Sequence, residues 1–317
     1  MRRRPILLLA CLLAATAAPA AGAAQPHRDS QIAFSYGHDD RQDIVSITPG
    51  RGDVRNLTHV GPNQGAEGAA WDPSGRHVYF DSDLAGGIHA FRVDAQGRHV
   101  TQLTFGDGEE FDPRVAPDGH LVALERDSAD HTDGVFLARL TRDGLAGFHR
   151  LTTAPGLATG GFDTPRDFSP DGSRIAFLRV LSTNRPNAQS GVFVIGVDGR
   201  DLHQVTPYAL NAGPPHWSPD GSRLLFSSNW DNFTPEMNTD VYSVRPDGTG
   251  LRNITHEPAG EFAFAPDWSS DGRRIVYAHV TGDVEELRIR DLASGRVSVA
   301  WTAPPGTDIN DPDWAPR

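Results

Sequence analysis

Trp217-Ser-Pro-Asp-Gly-Ser-Arg-Leu-Leu-Phe226 is the stretch whose reading decides the fold. An aromatic anchor leads into a Ser-Pro-Asp-Gly turn, and the turn leads into an apolar run. The phrase recurs as Trp71-Asp-Pro-Ser-Gly75, Val115-Ala-Pro-Asp-Gly119, Phe168-Ser-Pro-Asp-Gly172 and Trp268-Ser-Ser-Asp-Gly272, with a shortened copy at Trp314-Ala-Pro-Arg317. Successive anchors lie 44, 53, 49, 51 and 46 residues apart. A period of this size with strand-like content is the signature of a propeller. The turn has a mechanism: Pro presets φ at its second position, Asp tolerates the third, and Gly supplies a left-handed fourth.

Each unit resolves into four strands, A to D. The anchor ends strand A. An apolar run such as Arg174-Ile-Ala-Phe177 is strand B, and Val192-Phe-Val-Ile195 belongs to strand C. Strand D ends in a hydroxyl signal: Leu57-Thr58, Leu103-Thr104, Leu151-Thr152, Val205-Thr206 and Ile254-Thr255. Alternation and β-branched content favour strands throughout. Ile32-Ala-Phe34 reads as a strand B with no anchor before it, and Asp313-Trp314 as an anchor with no unit after it. The expectation is an all-β, six-bladed β-propeller of four-stranded antiparallel blades over residues 30–317. Its ring is closed by N- and C-terminal strands that share one blade, which leaves no open sheet edge at the seam.

Ahead of the propeller, Arg2-Arg-Arg4, an apolar run over Ile6–Ala18 and Ala21-Gly-Ala23 fit a secretory leader, 1–23, followed by a short segment, 24–29. A secreted or periplasmic location and no membrane span after cleavage are expected. The single cysteine, Cys11, lies in the leader, so no disulfide chemistry is expected of the mature chain. All 29 basic residues are Arg, which excludes Schiff-base and P-loop lysines. The net charge is −12, and removing Arg2, Arg3 and Arg4 with the leader makes it −15. Such an acidic chain is not expected to bind nucleic acid.

The repeated Trp-Ser-Pro-Asp-Gly-x-x-Ile-x-Phe phrase resembles the TolB-type propeller repeat, from about Ser30 to Arg317. Val115 and Phe168 depart from the anchor Trp, and Trp268-Ser-Ser-Asp-Gly lacks the Pro. TolB proteins are periplasmic and bind partners of the envelope Tol-Pal system, so the resemblance implies a protein or cell-envelope polymer as partner. TolB also carries a separate N-terminal domain. Only the leader and a few residues precede the first strand here, so the propeller is expected without that domain. Related repeats build gating propellers of hydrolases and some polysaccharide lyases that use His and metal.

In an A-to-D meander the A–B and C–D turns share one end, and the B–C and D–A loops share the other. The second set is expected to be long and varied, which places recognition there. Two loops carry the residue types of binding hot spots: Arg179 and Arg185 in one, Trp230, Phe233 and Met237 in the next. The second candidate is the mouth of the central channel. Polar groups precede each anchor: Glu67, Asp112, Arg114, Asp163, Arg166, His216, Asp267, Asp308 and Asp311. A ring of carboxylates with one His is a candidate divalent-cation site. No Gly-x-Ser-x-Gly or His-Glu-x-x-His motif occurs, so no catalytic residue is assigned. The leading expectation is a monomeric, non-catalytic recognition propeller with no cofactor. The alternative is a metal-assisted polysaccharide lyase or hydrolase working at the acidic mouth.

Overall fold

The computed structural model describes residues 31–38, 41–127, 133–154, 161–182, 189–229 and 238–316. They form six four-stranded sheets, each an antiparallel A-B-C-D meander. Numbered from the chain ends, the A strands of blades one to six are Asp308–Trp314, Ala66–Trp71, Glu109–Val115, Phe162–Phe168, His216–Trp217 and Glu261–Trp268. Blade one takes its A strand from the C-terminal end of the chain: Ile32 pairs with Trp314 and Gly37 with Asp308. The expected leader and the loops carrying Arg185, Trp230, Phe233 and Met237 lie outside the described residues.

The recurring phrase builds each part of a blade by a visible route. Gly75, Gly119, Gly172, Gly221 and Gly272 all adopt φ between 61° and 72°, the left-handed conformation the turn demands. In blade four Gly172 N donates to Ser169 O, Ser169 Oγ donates to Asp171, and Arg174 N donates back to Ser169 Oγ. The same closure recurs at Ser218, Asp220 and Arg223 and at Ser269, Asp271 and Arg274. The Arg that follows the turn stacks on the next blade's anchor: Arg174 over Trp217 and Arg274 over Trp314, each 4.9 Å from the ring.

The hydroxyl signal at the end of strand D is a repeated cap. Thr58, Thr104, Thr152, Thr206 and Thr255 each accept a strand C amide through Oγ1, from Ile44, Ala90, Val135, Val192 and Val241. Asn56 and Asn253 accept two loop amides apiece, from Thr58 and His59 and from Thr255 and His256. Their Asn-x-Thr triplets are therefore parts of this turn.

The apolar core is divided among the seams. One cluster joins Ile44 and Leu57 of blade one to Phe80 and Phe91 of blade two, and five others fill the remaining seams. Middle strands are covered on both faces, as in Gln189–Gly196, whereas the outermost strand of blade six, Val297–Thr302, has no buried residue. One expectation needs correction. The B–C loops are not long in every unit: in blades one and six only two residues separate the paired strands, with His38 opposite Arg41 and Thr281 opposite Val284. The varied loops belong to blades two to five.

Two outcomes follow. Deleting 308–317 removes a whole A strand and opens the ring, so the melting temperature should fall by roughly 10 °C or more; calorimetry of the shortened chain measures it. Replacing Thr206 by Val keeps the shape but strands the buried Val192 amide, costing about 1–3 kcal/mol in urea unfolding.

Candidate functional site

The channel at the centre of the ring holds two chambers separated by two arginines. A bulge in the A strands creates the two levels. Pairing with strand B slips between Glu67 and Ala70, Phe111 and Arg114, Pro165 and Asp167, and Phe264 and Asp267. Three positions before their anchors, Gly68, Asp112, Ala265 and Asp311 take φ between 46° and 67°. The extra residue re-aims the strand, so polar residues close together in sequence face different chambers.

The waist is an ion-pair lattice. Arg114 donates through Nε to Arg166 O at 3.0 Å, and through its terminal nitrogens to Gly68 O at 2.8 Å and Asp112 at 3.1 Å. Arg166 donates to Asp112 at 2.6 Å and also to Asp311. Thr164 Oγ1 donates to the second oxygen of Asp112 at 2.9 Å. Blades one to four are thereby tied together on the axis. Burial works against the Asp112 charge, but Arg166 and Arg114 outweigh it and hold the carboxyl below its usual range. Its neighbours Asp81 and Glu125 go the other way. Burial, reinforced by the charge of Asp112, raises both well above the ordinary carboxylate range.

The chamber at the loop-rich end has a volume of about 340 Å³, with Glu67, Asp112, Thr164, Arg166 and Asp311 among its walls. The chamber at the turn end, about 400 Å³, is walled by the six anchors and by Arg114, Arg166, Asp167, His216, Asp267 and Asp313. In this lower chamber the carboxylates face anchor amides of the next blade. Asp167 accepts from Trp217 N at 2.8 Å, Asp267 from Trp314 N at 2.7 Å, and Asp313 from Trp71 N at 2.8 Å. His216 Nδ1 lies 3.4 Å from Asp267. Burial, with the nearby Asp267 charge, raises Asp313 well above its ordinary range and Asp167 to about 8.

The pre-anchor residues therefore do not form one mouth. Glu67, Asp112 and Asp311 face the loop-rich end, His216 and Asp267 the turn end, and Arg114 and Arg166 form the waist. Asp163 and Asp308 line neither chamber. Asp163 is fully buried and grips Arg179 through two bonds of 2.7 and 2.6 Å. Asp308 is exposed at the edge of blade one. Arg179, expected as a contact residue, is also held over the Phe193 ring at 4.9 Å. Asp81, Glu125, Asp167 and Asp313 were not singled out by sequence reasoning. The two last were legible, because they occupy the position directly before an anchor that Asp267 also occupies.

A family profile described as TolB beta propeller domain matches residues 149–317, more than half of the chain. The chain belongs to that family. TolB from Acinetobacter baumannii superposes with a TM-score of 0.70 at 16% identity, over 91% of this chain and 67% of that one. A putative TolB from Agrobacterium tumefaciens gives 0.64 at 14% identity, over 88% and 97%. An oligogalacturonate lyase in complex with manganese gives 0.54 at 15% identity, over 86% and 74%. Identities this low bear on the fold alone. An uncharacterized protein of Agrobacterium fabrum is 27% identical over 143 residues, 44% of this chain and 47% of that protein. This chain thus spans about half the length of that relative.

The raised Asp167 carboxyl sets a pH dependence. Below about pH 4 both folded and unfolded chains hold this proton; between there and pH 8 only the folded chain does, given a free value of 3.8 and a folded value of about 8. Stability from this group is therefore lost as pH rises through that window. Asp167→Asn keeps an oxygen for Trp217 N and cannot ionise. Its unfolding free energy relative to the parent should rise by about 5 kcal/mol between pH 4 and pH 8, read from denaturant curves at both.

Proposed function

We propose that this TolB-like propeller is a secreted or periplasmic, non-catalytic recognition module. It binds a protein or a cell-envelope polymer through its loop-rich face, with the upper chamber receiving a cationic group of the partner. The observation that carries this reading is the chamber beneath that face: exposed Glu67 stands at its rim and Asp112 and Asp311 in its wall, held in place by Arg166. A preorganised acidic recess on a rigid scaffold suits an Arg or Lys side chain or an amine of a partner. Membership of the TolB family supports a protein partner. No helix among the described residues is long and apolar enough to cross a membrane.

The lyase or hydrolase reading draws on His216 and the acids of the lower chamber, together with the fold likeness to a manganese-bound lyase. What favours recognition is that Asp167, Asp267 and Asp313 are each engaged with an anchor amide. A carboxylate needed to hold two blades together is poorly placed to release that bond during a reaction.

The test is capture from envelope extract on immobilised protein, at low and high salt. The parent should retain a saturable, salt-sensitive partner. Glu67→Arg and a double Arg185→Ala, Trp230→Ala variant should each lose most of it while melting like the parent. Identical recovery by all three proteins would overturn the reading.

A further inference from the structure

A second polar cluster lies away from the channel, on the same loop-rich side, where blade five hands the chain to blade six. Glu257 belongs to the connection between those blades. Glu261 opens strand A of blade six, and His279 lies in strand B, Arg274–Thr281. Register brings the last two together: Glu261 pairs with Thr281 and Ala263 with His279, so Glu261 and His279 are diagonal neighbours. Among the described residues this is the one set of three acidic or imidazole groups whose ligand atoms all lie within 4.8 Å of one another.

The imidazole supplies the second, independent observation. The His279 side chain is only 1% exposed, and its Nε2 lies 3.4 Å from Glu257 and 3.1 Å from Glu261. Yet Nε2 has no hydrogen-bond partner, because neither carboxylate meets it in hydrogen-bond geometry. A buried polar atom left in this state is costly unless something else engages it. On the other side of the ring, Thr281 Oγ1 lies 3.4 Å from Nδ1. With the proton on Nδ1 and directed to that hydroxyl, Nε2 keeps its lone pair toward the carboxylates, the arrangement of a metal-bound histidine.

We propose that Glu257, Glu261 and His279 bind a divalent transition-metal ion, Zn²⁺ best of all, and that the ion staples the exit of blade five to blade six. Metal–ligand bonds of about 2.0–2.2 Å at tetrahedral angles place ligand atoms roughly 3.3 Å apart, close to the two separations from Nε2. An imidazole with two carboxylates suits Zn²⁺ better than Ca²⁺, which takes six to eight oxygens. Glu261 is 29% exposed and the other two are more deeply set, so the fourth position opens to water on the Glu261 side. The scaffold holds the ligands in place without the ion. Glu257 N donates to Asp240 at 2.6 Å, Glu257 O accepts from Asn238, and Glu261 N donates to Pro258 O. The ion would also neutralise two carboxylates facing each other across a seam.

The experiment is calorimetric titration of chelator-stripped full-length protein with Zn²⁺ alone, with Ca²⁺ as the contrast, and melting curves with and without Zn²⁺. The expected result is one Zn²⁺ per chain, a higher melting temperature, and little response to Ca²⁺. Glu261→Gln, at the exposed rim, should weaken Zn²⁺ by at least ~10-fold with the fold intact; His279→Gln should do the same. If His279 only carries a proton between two carboxylates, the parent gives neither Zn²⁺ heat nor a shift in melting, and the proposal fails. Zn²⁺ binding that survives both substitutions unchanged places the ion elsewhere, and this also overturns it. Capture of a partner by the upper chamber is a separate property, since Glu67→Arg leaves all three ligands in place.

Discussion

A propeller closes its ring with strands that have no sheet neighbour on one side. Every A strand is an edge facing the axis, with backbone groups that no ladder satisfies. In this chain the charged side chains of the channel supply part of what the ladder lacks. Aspartates directly before three anchors accept amides of the following blade, at Trp71, Trp217 and Trp314. Arg114 donates to two edge carbonyls, Gly68 O in blade two and Arg166 O in blade four. The acidity of the axis is thus first of all a solution to an edge problem. The waist lattice and the raised carboxyls of the lower chamber follow from it, within the two levels that the strand A bulges create.

The scaffold was largely legible because its parts repeat and each repeat has a local cause. Gly172 and its counterparts need a left-handed turn, and Thr206 and its counterparts cap strand C, so residue type and position go together. The short terminal anchor was legible for the same reason: Trp314 needs a strand B beside it, and Ile32 begins one. The candidate site was less legible. A bulge changes which way each later residue faces, and nothing about Asp112-Pro-Arg114 announces that Asp112 and Arg114 will address different levels. Asp81 and Glu125 come from strand B, so no pattern around the anchor includes them. Asp163 looked like a channel acid but is consumed by Arg179 in the same blade. Pairing of strands A and B within blade six brings Glu261 beside His279, and Glu257 reaches them from the connection between blades, which sequence spacing does not encode.

The two ends of the channel differ in what holds their acids. At the turn end Asp167, Asp267 and Asp313 hold neighbouring blades, and burial keeps Asp167 and Asp313 inclined to stay protonated. A charged ligand gains little from a carboxyl that is neutral and already bonded. At the loop-rich end Asp112 stays ionised because two guanidiniums outweigh its burial. Its neighbours Asp81 and Glu125 are raised like the acids of the turn end, so Asp112 is singled out by its two arginines. Sequence reasoning placed recognition on this face because its loops vary. The repeated phrase, with its anchors and their aspartates, walls the lower chamber as scaffold, and the arginine waist divides it from the chamber under the loops.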